Sequence, residues 1–125
     1  MSSQPTNELS EALLWYDRLE KEFPDSPKIK DMLLKRIEVL RALSKNNEAI
    51  DLMQKILSGS YRNVRLTQSE QTKLLKDLTQ IYYGTGQLSA GLPYFGQLFQ
   101  IARDPEDQAL AAAASFESLF QAERL

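Results

Sequence analysis

Apolar residues recur at helical spacing along almost the whole chain and two-residue alternation is sustained nowhere, so the pattern predicts an all-α protein. Six segments emerge. Leu9, Ala12, Leu13, Tyr16, Leu19 and Phe23 share one face of the first, which Asn7 or Ser10 can cap and Pro24 stops. Ile29, Leu33, Ile37 and Leu40 mark the second, which begins after Pro27, where proline suits a first turn. Asn46 and Asn47 interrupt the pattern before Ala49, Ile50, Met53, Ile56 and Leu57 mark a third, shorter helix. The polar stretch "SGSYRNVRLTQSE", Ser58 to Glu70, is the longest predicted loop. Leu74, Leu75, Leu78, Ile81 and Tyr82 define the fourth helix, which ends at Gly84 or Gly86, where a left-handed residue closes a helix cheaply. Leu88, Leu92, Phe95, Leu98, Phe99 and Ala102 define the fifth. Its start is placed at Ser89, because Pro93 is tolerated near a helix start and costs ~3 kcal/mol deeper inside. The sixth opens with Asp104 as cap and Pro105 in the first helical position, and continues to the end of the chain.

These segments repeat. Aligning "RALSKNNEAIDLMQKIL" with "YYGTGQLSAGLPYFGQLF" brings Ser44 onto Gly86, Ala49 onto Gly91 and Met53 onto Phe95, an offset of 42 (91 − 49). "EALLWYDRLEKEFPDSP" joins the register through Ala12, Tyr16 four residues later and Pro24, with 37 residues from Ala12 to Ala49 (49 − 12). On these residues the chain resembles the tetratricopeptide repeat family, a ~34-residue helix-turn-helix with the pattern W-x2-L-G-x2-Y, then A-x3-F, then P. Leu75, Leu78, Thr79 and Tyr82, followed by Gly91 and Phe95, carry one match. Leu33, Ile37, Leu40, Ala49 and Met53 carry the other, with Arg36 where leucine is usual. Ile37 and Thr79 stand in place of two signature glycines.

The resemblance covers nearly all 125 residues and implies a right-handed α-solenoid of five to six antiparallel helices in a single domain over residues 1–125. It divides the chain into a half repeat at about 7–26, whole repeats at about 28–61 and 68–103, and a half repeat at about 104–125 with Ala109, Ala113 and Phe116 in signature places. The first half of the opening repeat would then lie upstream. An ordinary helical bundle is the competing reading of the same pattern.

Length permits a continuous core without covalent staples. The chain has no cysteine, which excludes disulfides and thiolate metal sites, and no histidine, the commonest general base and metal ligand. With 15 basic and 17 acidic residues its net charge is −2, which argues against nucleic acid as a partner. No apolar run approaches the ~20 residues that cross a bilayer, and "MSSQPTNELSE" lacks the basic start and apolar stretch of a secretory signal. The expectation is therefore a soluble piece without membrane insertion, placed in the cytoplasm, or in the periplasm had a signal been removed. "GTGQLSAG" lacks a preceding strand and the phosphate-loop lysine, and reads as a turn between helices. No catalytic group, cofactor or metal site is expected, and Asp17 and Glu20 read as exposed helix charges.

Helix pairs of this kind must stack on neighbours, which creates an extended surface for a partner. In the family its inner wall is lined mainly by the first helices. The resemblance carries Leu34, Glu38 and Arg41, then Lys73, Lys76, Asp77, Gln80 and Tyr83, then Leu110, Ala114 and Glu117 onto that wall. Such a mix of charged and apolar groups suits a peptide or helix laid in a groove. Some members grip a C-terminal carboxylate with Lys, Asn and Arg. The corresponding places here hold Leu34, Glu38, Asp77, Asp107 and Ala111, with no cation and three acids, so that mode is not expected.

The expected function is a non-catalytic scaffold presenting a concave groove to a protein or peptide. The alternative is a structural module that self-associates, or docks on neighbouring repeats of a larger parent, through Trp15, Leu119 and Phe120. Trp15 shares its helical face with Glu8, Glu11, Arg18 and Glu22. Its indole would pack on an absent upstream helix, on the chain's own N-terminal arm, or on a partner. Tyr61, Arg62 and Arg65 in "SYRNVR" are too few to signal base stacking and read as loop. Ala12, Ala49 and Gly91 let paired helices approach, and Gly96, between Leu92 and Phe99, is expected to do the same.

Overall fold

Helical spacing alone leaves each element's neighbours undetermined; the computed structural model, which describes residues 5–124, supplies them. Among the described residues there are six α-helices and no strand: α1 (Pro5–Glu22), α2 (Ile29–Ala42), α3 (Asn46–Leu57), α4 (Gln68–Gly84), α5 (Leu88–Ile101) and α6 (Pro105–Arg124). They form two compact units, Met1–Arg65 and Leu66–Leu125.

In the first unit α2 packs on both α1 and α3. Its buried residues Ile29, Leu33, Ile37 and Leu40 follow the predicted stripe, and they meet Ala49, Ile50, Leu52, Met53 and Ile56 of α3. The chain turns from α2 to α3 in a Schellman motif: Ser44 N–H donates to Arg41 O (3.0 Å) and Lys45 N–H to Leu40 O (2.8 Å), with Ser44 at φ 58°. That closure places Asn46 and Asn47 inside the first turn of α3, so the predicted interruption is shorter than the sequence suggests. None of the described side chains of α1 is fully buried, because among the described residues α2 is the one helix that packs against it.

The second unit is more closely knit. α5 packs against both α4 and α6, and α4 also touches α6. Thr67 and Glu70 build a capping box at the start of α4, Thr67 Oγ1 accepting from Glu70 N–H (3.1 Å) and Glu70 Oε1 from Thr67 N–H (2.9 Å). α4 ends in the same motif as α2, with Gly86 at φ 73° and Gln87 N–H donating to Tyr82 O (2.9 Å). Pro93 falls inside α5, whose first residue is Leu88, one position before the predicted start. At α6 the predicted cap is present: Asp104 Oδ1 accepts from Glu106 N–H at 2.9 Å.

The two hairpins, one in each unit, bury matching positions. Leu33, Ile37 and Leu40 correspond to Leu75, Thr79 and Tyr82, while Ala49 and Met53 correspond to Gly91 and Phe95. In both, the small residue of the second helix follows the matching buried leucine, Leu33 or Leu75, by 16 residues (49 − 33 and 91 − 75). Gly91 is the tightest point: a Cβ there would lie 2.7 Å from Tyr82 Cβ of α4. Gly96 is different. It is exposed, and a Cβ on it would meet nothing within 4 Å, so the expected close helix contact is absent there.

Candidate interaction faces

The predicted wall residues separate by unit. In the first, α2 presents Glu38 exposed and Leu34 and Arg41 half-buried. In the second, α4 presents Lys73, Gln80 and Tyr83 exposed and Lys76 half-buried, while α6 presents Leu110 and Glu117 half-buried. An ion pair between Lys76 Nζ and Asp107 Oδ1 (3.0 Å) ties the α4 and α6 rows together. The hydrogen bond and negative charge of Asp107 raise the Lys76 pKa above its ordinary value.

Two wall assignments are corrected. Asp77 is buried, in a 3.0 Å ion pair with Lys73 Nζ, and Ala114 is fully buried. α4 is covered by two helices, so its buried arc widens to take in position 77 beside Leu74, Leu78 and Ile81. The register of α6 also differs from expectation. Ala111, Ala114 and Ser118 face inward, Ser118 Oγ donating to Leu88 O at 3.0 Å, whereas Ala109, Ala113 and Phe116 are exposed. An alanine run offers the same small side chain to every side, so periodicity cannot choose its inner face.

The exposed side of α6 is apolar. Phe116 (64 % exposed), Leu119 (56 %) and Phe120 (46 %) lie one or two turns beyond Ala109, Ala112 and Ala113 on the face opposite Ala111 and Ser118. The rings of Phe116 and Phe120 stack with centroids 5.9 Å apart and planes 15° from parallel. Glu117 and Glu123 adjoin this stripe.

α1 carries the other apolar surface, part of the single face the sequence predicts for this helix. Tyr16, Leu19 and Phe23 line a groove of about 410 Å³ with Ile29 and Met32 of α2, and Lys28, Asp31 and Lys35 edge it. The available signal was width: α1 has apolar residues at 9, 12, 13, 14, 15, 16 and 19, more than one neighbouring helix can cover. Trp15 is 56 % exposed, with the Arg18 guanidinium 5.7 Å from its ring centre and Arg18 Nε 3.0 Å from Glu22 Oε1. The alternative in which the N-terminal arm covers the indole involves residues 1–4, outside the described residues.

Asp17 and Glu20 prove to be more than isolated surface charges. Arg36, which stands where the repeat pattern has leucine, reaches from α2 to Asp17 Oδ1 (2.6 Å) and Glu20 Oε2 (3.3 Å) on α1. A salt bridge thus fastens α1 where an apolar contact would otherwise sit. The surrounding pocket, about 210 Å³, also holds Glu48, Asp51, Lys55 and Tyr61. Burial, then the charge and hydrogen bond of Glu20, push the Tyr61 pKa up to about 12. Arg36 is engaged by two carboxylates and Tyr61 by Glu20, so these groups tie α1, α2 and the loop after α3 together.

No group of three or more metal-ligating side chains occurs among the described residues, and no described helix is long and apolar enough to cross a membrane. No family model, curated protein or solved structure matches the chain.

Proposed function

We propose that this chain is a non-catalytic protein-binding module built from tetratricopeptide-like helical repeats. In this reading the two hairpins are repeats of a right-handed α-solenoid, and α1 and α6 are its half repeats. The observation that carries the proposal is the gathering of large apolar side chains on exposed helix faces, Tyr16, Leu19 and Phe23 on α1 and Phe116, Leu119 and Phe120 on α6. Single exposed apolar residues are normal on a protein surface; contiguous ones flanked by charge mark surfaces that bind. The polar row of Lys73, Gln80 and Tyr83 on α4, tied to α6 by Lys76 and Asp107, supports a second, more polar contact suited to a peptide or helix. Matching burial at the same spacing in both hairpins supports the repeat reading.

The test is a photo-crosslinking amino acid placed at Tyr83, at Phe116 and, as a control, at exposed Lys21 in the full chain expressed in its own cells. Discrete protein adducts from Tyr83 or Phe116 and none from Lys21 are expected. Equal, weak labelling from all three positions would overturn the proposal.

A further inference from the structure

The two apolar surfaces complement each other. The groove on α1 and α2 is concave, lined by Tyr16, Leu19, Phe23, Ile29 and Met32, and its edge carries two lysines and one aspartate. The stripe on α6 is convex: the stacked rings of Phe116 and Phe120 form one wedge beside Leu119, with Glu117 and Glu123 alongside. The groove's edge is thus net positive and the stripe's surroundings are negative. Phe116, Leu119 and Phe120 each keep about half of their surface in water (64 %, 56 % and 46 %), and covering them would supply the apolar centre of a contact.

From this we propose that the occupant of the groove is a second copy of the chain, whose α6 stripe docks head to tail on α1 and α2. The inference rests on the protein-binding reading and names its partner. Each copy carries one groove and one stripe, so the contact joins unlike surfaces, and it can close reciprocally between two copies or extend to further ones. Opposite charges at the edges, Lys28 and Lys35 against Glu117 and Glu123, set the register and disfavour α6 packing on another α6, which would bring glutamates together.

Two blocked variants test the geometry, both at residues already exposed, so that folding is preserved and can be checked by circular dichroism. Phe23→Asp spoils the groove and leaves the stripe; Phe116→Asp spoils the stripe and leaves the groove. In light scattering across a concentration series, the wild type is expected to gain mass steadily, while each variant alone remains monomeric, with association weakened by about 30-fold or more if these are central residues. Mixed in equal amounts, the two variants are expected to form a heterodimer and nothing larger, because each supplies the one intact surface the other lacks. Lys35→Glu should weaken association, and combining it with Glu117→Lys should restore it. A wild type that remains monomeric at millimolar concentration, a singly blocked variant that still self-associates, or a mixture that stays monomeric would each overturn the head-to-tail contact. Should the chain stay monomeric while Phe116 crosslinks to a different protein, the inference falls and the protein-binding reading stands. Absence of both results removes both.

Discussion

Two glycines in one helix make opposite demands on the same substitution. Alanine at Gly91 would place its Cβ 2.7 Å from both Tyr82 Cβ and Phe95 Cε1, whereas carbon atoms in good contact sit about 3.5–4.0 Å apart. Tyr82 Cβ is attached directly to the α4 backbone and cannot rotate aside, and the Phe95 ring has no exposed surface into which to swing. α5 must therefore retreat from α4 by about 1 Å to clear Tyr82, and the Phe95 ring, whose Cζ is nearest and which belongs to α5 itself, must tilt into the space so opened, a distortion in the range of about 1–3 kcal/mol for overpacked cores. Replacing glycine within a helix returns about 0.8–1 kcal/mol, leaving Gly91→Ala less stable than wild type by up to about 2 kcal/mol. At Gly96 the same methyl meets nothing, so Gly96→Ala is expected to be more stable by about 0.5–1 kcal/mol. Urea unfolding followed by circular dichroism reads both as shifts of midpoint at constant slope. In the other hairpin the equivalent pair is Ala49 and Met53, a methyl accommodated beside a flexible thioether. Gly91→Ala combined with Phe95→Met should accordingly recover part of the loss, a non-additive pair. If Gly91→Ala alone matches or exceeds the wild type, the close approach of α4 and α5 at Tyr82 is wrong.

Three further outcomes follow from local geometry. Ser44 occupies the left-handed position that Gly86 fills in the second hairpin, so Ser44→Gly should stabilise the chain by roughly 0.5–1 kcal/mol and Gly86→Ala should destabilise it by about as much, both measurable by thermal unfolding. Thr79 Oγ1 is fully buried without a hydrogen-bond partner; Thr79→Val keeps the shape, removes the hydroxyl, and should gain about 1 kcal/mol in urea. Tyr61 retains its proton to about pH 12 when folded but ionises near pH 10 when unfolded, so its stabilising contribution is complete below pH 10 and is lost as pH rises toward 12. Tyr61→Phe should flatten the decline of stability across that window.

Helix existence, type and order were legible in the sequence because each of α2 to α5 has one apolar stripe and the turns between paired helices carry a serine or glycine able to adopt positive φ. The pairing of Ser44 with Gly86 and of Ala49 with Gly91 was readable for the same reason, since both depend on residue size and backbone freedom at a fixed spacing. Legibility failed where more than one face was eligible for burial. The alanines of α6 left large residues such as Phe116, Leu119 and Phe120 as the markers, and these mark the exposed side. On α1, Tyr16, Leu19 and Phe23 satisfy the helical period whether a neighbour covers them or not, and only the arrangement of α1 against α2 leaves them as a groove wall.

The sequence by itself determined six helices, the Asp104 cap of α6 and the recurrence of one hairpin design, because those follow from interactions within a few turns of chain; Asn7 and Ser10, the caps it offered for the first helix, lie inside α1. Tertiary structure decided which glycine is crowded, that Asp77 is enclosed, that Arg36 joins Asp17 and Glu20, and which apolar faces stay open. Each of those depends on a neighbour brought close by folding, and periodicity carries a residue's direction around its helix without the identity of what lies there.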